Sequence, residues 1–297
     1  MIVFLQQLIN GLSLGFVYAL LALGYTMVYG ILRFINFAHS DVFMVGAFCG
    51  YYFGRVVPQH SLGGGLLVMA MAMLVCAVLG IIIERLAYRP LRGGSNLAVL
   101  ITAIGVSLFL ENAGQLVFGA DPKPFPALFP SRNFTTEAGL RISSNQLLVF
   151  IVTAVLLFGL QWIVMKTRMG TAMRAVSFNH QAASLVGINN DRVISFTFGL
   201  GSALAAAGGI LYALNYPSID PYMGILPGLK AFVAAVLGGI GNIPGAALGG
   251  ILLGLIETFV NGSRFSTYTD AIAFGVLIVI LLCRPAGLLG KFQVEKV

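Results

Sequence analysis

The sequence predicts an all-α, polytopic membrane protein: a helical bundle of about 8–9 transmembrane segments with a loop of short coupling helices on the cytoplasmic side. Three observations predict this class. Of 297 residues, 58% are hydrophobic and 9% charged, with a mean hydropathy of +0.94, a balance foreign to water-soluble domains. Residues 1–32, 62–83, 142–165, 193–219 and 231–256 carry no charge at all. Each is long enough to cross a hydrocarbon core of roughly 30 Å at about 1.5 Å per residue. Finally, glycine occupies 37 positions and alternating strands are scarce, which favours packed helices over a barrel.

Taken in order, the expected spans are 5–31, 37–57, 63–84, 96–118, 145–165, 194–215, 229–242, 245–261 and 269–284, all in a single transmembrane domain covering 1–297. The seventh and eighth read either as two spans or as a re-entrant pair. No Lys or Arg precedes Arg33, and the first apolar run is about twice a signal-peptide core, so the start reads as a retained helix. Orientation follows from the basic residues of the loops. Placing 166–193 in the cytoplasm puts Arg33, Arg85, Arg89, Arg92, Lys166, Arg168, Arg174, Arg192, Arg284, Lys291 and Lys296 inside, eleven in all. Five remain outside: Arg55, Lys123, Arg132, Arg141 and Arg264, with Lys230 at a boundary. This asymmetry predicts a multi-pass protein with a cytoplasmic C-terminus and, for nine crossings, an outward N-terminus; the bacterial inner membrane as its location is what the family resemblance given below implies. It also accounts for the net charge of +7 without nucleic acid as a partner.

The segment Lys166–Arg192, KTRMGTAMRAVSFNHQAASLVGINNDR, is basic and does not belong in lipid. Asn179 is placed to cap a helix starting at His180, and Gly187 to close it in a left-handed conformation. A helix of two turns is marginal in water, so something must hold it. Ala182, Ala183, Leu185 and Val186 give it a small, weakly apolar outward face suited to a groove on another protein. It reads as a docking element.

Polar groups inside spans are costly, about 2.5–3.5 kcal/mol for a central Asp or Arg. The densest cluster is RFINFAHSD, with Arg33, Asn36, Phe37, His39, Ser40 and Asp41. A continuous lipid-facing helix cannot carry it. Either the backbone bends inside the bundle or beside a water-filled cavity, or the segment is a cytoplasmic turn whose His39 and Asp41 cap a helix. On the first reading Asn36, Phe37, His39, Ser40 and Asp41 are candidate pathway residues, with Phe34, Phe37, Phe43 and Met44 supplying an apolar lining. Glu111 and Glu257 read as structural or interfacial carboxylates. The loop Gly119–Ser144 contains DPKPFPALFP, which resists helix and sheet and reads as either a partner-facing surface or a connector. Small residues at four-residue spacing (Gly11 and Gly15; Gly201, Ala205 and Gly209; Gly241, Gly245 and Gly249; Gly250 and Gly254) predict close helix contacts, with Pro244 interrupting the third set. Cys49, Cys76 and Cys283 lie in apolar stretches and read as packing residues.

Several chemistries find no support. There is no GxxxxGK[ST], HExxH or CxxC pair, and His39-Ser40-Asp41 adjacency is not triad geometry. No metal or cofactor site is expected, and the chain reads as a non-enzymatic subunit powered from elsewhere.

Gln181-Ala182-Ala183 followed after three residues by Gly187 resembles the EAA-xxx-G motif of ATP-binding cassette (ABC) importer permeases, with Gln for Glu and without the apolar-Leu-Pro ending. With INFAHSD, YRPLR (88–92), TRMGTAMRA, GIN and DRV (187–193) and AAVLGGIGNIPGA, essentially the whole chain resembles the LivH-type permease subunit of branched-chain amino acid ABC importers. It departs at Ser40, where glycine is expected. The resemblance implies a complex of this permease, a second related permease, two ABC ATPase subunits that bind the ATP, and a periplasmic amino-acid-binding protein delivering Leu, Ile or Val. It implies that Arg168, Gly170, Arg174, Gln181, Ala182, Ala183, Gly187 and Asn189 belong to the ATPase-coupling element. Two other readings remain: a related importer for urea or short amides, and a stand-alone secondary carrier, which needs buried ionisable residues along its path.

Overall fold

The computed structural model describes residues 2–58, 60–92, 94–135 and 139–290. Lys291, Lys296 and the terminal VEKV lie outside the described residues. Among the described residues, seven helices are long and apolar enough to cross a membrane. They are α1 (Ile2–Leu32), α3 (Leu62–Ile83, continued to Leu91 by a π turn and a 3₁₀ turn), α4 (Asn96–Phe118), α5 (Ser144–Lys166), α8 (Asn190–Asn215), α10 (Ile243–Asn261) and α11 (Thr269–Cys283). Two shorter helices complete the bundle, α2 (His39–Phe53) and α9 (Ile225–Gly238), and α6 (Arg168–Phe178) and α7 (His180–Leu185) form the basic segment. The expected bundle is therefore present, with the second span shortened from 37–57 to His39–Phe53 and the seventh shifted from 229–242 to Ile225–Gly238.

Burial sorts these helices into an inner and an outer set. The most apolar windows of α1 and α8 are 83% buried, against 17% for α4 and 11% for α11, so α1 and α8 are central and the others present apolar side chains outward. Helices hydrophobic all round suit those central places. Close backbone approach joins α1 to α10: a β-carbon on Gly254 would lie 2.3 Å from the Gly15 Cα, and one on Gly15 would lie 2.7 Å from the Ile251 Cα. The predicted small-residue contacts at Gly11, Gly15, Gly250 and Gly254 thus fall at a real crossing. Gly241 differs, because it sits in the loop before α10 at φ +90° and is not on that helix. Pro244 occupies the first turn of α10, where a missing N–H costs nothing, so it starts a helix.

The two ends of the bundle are fixed by contacts between distant segments. At one end the His180 Nε2 lies 2.9 Å from the Ile31 carbonyl, Arg92 pairs with Asp191, and the Leu288 N–H donates to Leu237. At the other, Gln6 hydrogen-bonds the Arg141 backbone, Lys123 donates to Tyr52, and Asn145 donates to Leu214.

α2 begins deep inside. Its first turn meets Gly24 of α1, Gly224 and Gly228 beside α9, and Ser107, the midpoint of α4. Residues 33–38 therefore carry the chain from the basic end back to mid-bundle, with Arg33 at φ +55°. At about 1.5 Å per residue α2 covers roughly 22 Å and α9 roughly 21 Å, less than the ~30 Å hydrocarbon core. α9 runs from this junction toward the basic end and α2 toward the opposite one, so their N-termini share mid-depth. Discontinuous backbone at that depth is tolerable because protein encloses it.

The Gly119–Ser144 loop is more ordered than its prolines suggest. Lys123–Pro124 (β1) pairs antiparallel with Ser218–Ile219 (β4), and Asn133–Thr135 (β2) with Arg141–Ser143 (β3). Proline lacks an N–H but is accepted in such edge pairs. Phe125, Leu128 and Phe129 are buried, the latter two against Gly54 and Gly65, so part of the loop caps the bundle. Cys76 is buried and Cys49 half-buried as packing residues, whereas Cys283 is exposed on α11 because that helix packs on few neighbours.

Candidate functional site

The basic segment is built as expected from local chemistry. The Thr167 and Asn179 side chains accept from the Gly170 and Ala182 N–H groups, capping α6 and α7, and Gly187 stands at φ +85°. Asn189, expected in the coupling element, caps α8 by accepting from the Arg192 N–H at 3.0 Å. Met173, Val176 and Ala183 are buried toward the bundle, and Gly170 admits no side chain because a β-carbon would lie 2.2 Å from the Ile163 carbonyl oxygen. Besides its contact to Ile31, His180 accepts through its carbonyl from Asn190, and Ile188 donates to Ala183. These bonds tie α7 to the end of α1 and the start of α8.

The outward face of the segment differs in composition from the expected one. Ala183 is 3% exposed and points into the bundle, whereas Leu185, Val186 and Phe178 are 87%, 76% and 88% exposed. Phe178 was not singled out from the sequence. Its position at the end of α6, two residues before α7, is the signal that places it on this patch. Arg168, Arg174, Gln181 and Ala182 are exposed around it. The result is an exposed apolar tip on a basic segment, braced from behind.

Beside it lies a charged latch. Glu84, fully buried in the π turn after α3, pairs with Arg92 and accepts from Ser195 of α8. Arg92 and Arg89 both pair with Asp191, in the first turn of α8, the former at 2.7 Å. The YRPLR and DRV stretches thereby meet, joining α3 to the helix that follows the coupling segment.

Residues 36–41 of the RFINFAHSD stretch form a bend enclosed in the bundle, while Arg33 is exposed. Asn36 accepts from the Tyr88 hydroxyl at 2.6 Å, the Ser40 hydroxyl donates to Phe37 O at 2.9 Å, and Asp41 accepts from Ser107 at 2.6 Å. Asp41 also lies in the first turn of α2, where the helix dipole favours a carboxylate. The His39 ring packs on Gly24, whose missing side chain makes its room, and beside Tyr25. Gly224 and Gly228 lie against Ser40, so this side chain is accommodated by glycines opposite it. Phe43 and Met44, proposed as lining, are fully buried packing residues, and Phe34 packs on Tyr88. The cavity bounded by Tyr25, Tyr29, Ile35, Phe232 and Ile240 holds about 10 Å³, room for one water at most.

Glu257 has a partner that the sequence did not reveal. Lys230 of α9 lies 2.6 Å from Glu257 and 2.7 Å from Asp270 of α11, and the Tyr18 hydroxyl donates to Glu257 at 2.8 Å. A lysine within an apolar helix was the available signal. Glu111 is partly exposed on α4. No group of three or more metal-ligating side chains occurs among the described residues.

With this geometry in place, comparison with known proteins is direct. Residues 7–282 match the family described as branched-chain amino acid transport system / permease component. The chain belongs to this permease family. It is 46% identical to the high-affinity branched-chain amino acid transport system permease protein BraD of Pseudomonas aeruginosa, over 99% of this chain and 98% of the relative. It is 43% identical to the corresponding LivH of Escherichia coli, again over 99% and 98%. A more distant relative, the probable LivH permease of Methanocaldococcus jannaschii, shares 30% over 91% and 88%. The resemblance drawn from INFAHSD, YRPLR and the coupling motif is thereby confirmed. As a member of this family, the permease is a multi-pass membrane protein and one component of an ABC transport system.

Proposed function

We propose that this chain is a non-catalytic transmembrane subunit of an ATP-driven importer that carries branched-chain amino acids (Leu, Ile, Val) across the bacterial inner membrane. It works with a second related permease, two ATPases at the cytoplasmic face and a periplasmic binding protein. The observation that carries this reading is the apolar tip of Phe178, Leu185 and Val186, exposed outside any span yet braced by hydrogen bonds to the ends of α1 and α8. A surface like this marks a partner site, and its bracing turns a push on α7 into movement of the two central helices. The work comes from nucleotide-driven closure of the ATPase pair, which favours one arrangement of the bundle over another. On this orientation the C-terminus lies in the cytoplasm.

The test is Leu185→Asp in the assembled transporter. The exposed site leaves the fold intact, so thermal stability stays at the wild-type value. ATP-driven leucine uptake falls at least tenfold, and ATP hydrolysis loses its stimulation by loaded binding protein. Wild-type uptake in this variant would remove the docking role.

A further inference from the structure

A cavity of about 280 Å³ opens near the end of the bundle opposite the basic segment, between α1, α5, α8 and α10. It is close to the lower end of the ~300–1,000 Å³ range of small-molecule sites, so it suits one small ligand. Along α1 it runs inward from Asn10 to Leu14 and Val17; from the other side Asn215 and Thr258 face it. Amides and hydroxyls at this density cannot be turned to hydrocarbon, so the space is wet.

Neighbouring side chains fix these groups and leave hydrogen-bonding capacity free. Gln146 donates to the Asn10 carbonyl oxygen at 2.8 Å, which leaves the Asn10 amide hydrogens available. Asn215 donates to Ser13 at 3.4 Å and to Leu211, which leaves its own carbonyl oxygen available. Tyr212 and Tyr216 stack at 4.7 Å along the wall and offer hydroxyls that both donate and accept. Leu14 and Val17 supply the apolar strip. One turn inward from Asn261, Glu257 is already paired with Lys230 and Tyr18, so no unpartnered charge waits at that level to trap an ion.

From this arrangement we infer that the cavity is an external transit site for a zwitterionic aliphatic amino acid. The Asn215 oxygen and hydroxyls receive the α-ammonium, the Asn10 amide receives the α-carboxylate, and the side chain lies on Leu14 and Val17. Neutral partners hold such a ligand weakly, which a transit site requires. The inference rests on the permease reading above and moves the outer part of the path away from the enclosed 36–41 bend.

The experiment uses the assembled transporter in proteoliposomes, with Cys49, Cys76 and Cys283 replaced by Ala. Asn261→Cys and the near-isosteric Thr258→Cys, both in the cavity lining, are labelled from outside with a membrane-impermeant thiol reagent, and Ser263→Cys, exposed beyond the cavity, serves as control. Free L-leucine is titrated. At ten times its half-effect concentration it slows labelling about tenfold at 261 and 258, leaving 263 unchanged, whereas mannitol has no effect. Absence of labelling at both cavity positions, or labelling that leucine does not slow, overturns the inference. Slowing by a change from phosphatidylcholine to phosphatidylethanolamine without a leucine effect also overturns it and assigns the cavity to a lipid headgroup. ATP-driven leucine uptake by the unsubstituted chain is measured in parallel; its absence defeats the permease reading independently of the labelling result.

Discussion

Replacing Lys230 by Met removes one ammonium from between two carboxylates. Glu257 and Asp270 oxygens lie 2.6 and 2.7 Å from the same nitrogen, hence no more than 5.3 Å from each other. Without the lysine they repel by roughly 3 kcal/mol at an effective dielectric of about 20. Asp270 is half exposed and sheds most of its share into solvent. Glu257, with a side chain 9% exposed, keeps only the Tyr18 hydroxyl. The expected loss is about 3–5 kcal/mol, the usual cost of breaking a buried pair from one side. The double variant Lys230→Met, Glu257→Gln removes the stranded charge while the Gln oxygen still accepts from Tyr18, and returns to within about 1–2 kcal/mol of wild type. Equilibrium unfolding by SDS titration in mixed micelles measures all three proteins. A single variant within ~1 kcal/mol of wild type, or a double variant as unstable as the single, would refute the reasoning.

Other consequences are open to simpler measurement. Arg92→Met strands the fully buried Glu84 and is expected to cost about 3–5 kcal/mol, whereas Arg89→Ala, at an exposed pair, costs about 0–1 in the same titration. Gly254→Val drives a side chain into the α1 backbone and lowers stability by at least ~1–3 kcal/mol, read as loss of the monodisperse peak after heating. Asn179→Ala removes the α7 cap at a cost of about 1 kcal/mol; hydrogen exchange accelerates at 182–185 and not in α8.

Helix existence was legible because hydropathy over twenty residues is a strong signal, and capping at Asn179 and Gly187 was legible because it depends on adjacent residues alone. The shortening of the 37–57 span to His39–Phe53 was not, since α2's starting depth depends on distant Gly24, Ser107 and Gly224. Nor was the inward turn of Ala183 beside the outward Leu185, because the face of a two-turn helix is chosen by what packs behind it. Lys230 was visible as a charge, but its partners come from α10 and α11. The prolines of 123–130 correctly excluded helix there and concealed Phe125 and Phe129 as buried anchors.

The mid-depth start of α2 has a consequence for biogenesis. Fifteen residues, with His, Ser and Asp making up the first three, are too short and too polar at that end to partition into a bilayer as an independent unit. Their enclosure depends on α8, where Gly46 meets Ala206 and Gly209 meets the Phe43 carbonyl, at least 160 residues further along the chain. During synthesis the segment after α1 must therefore wait, shielded by the insertion machinery or held at the interface, until residues near 209 have emerged. A nascent chain arrested before α8 exposes 33–53 to protease, and the same chain arrested after α8 protects it.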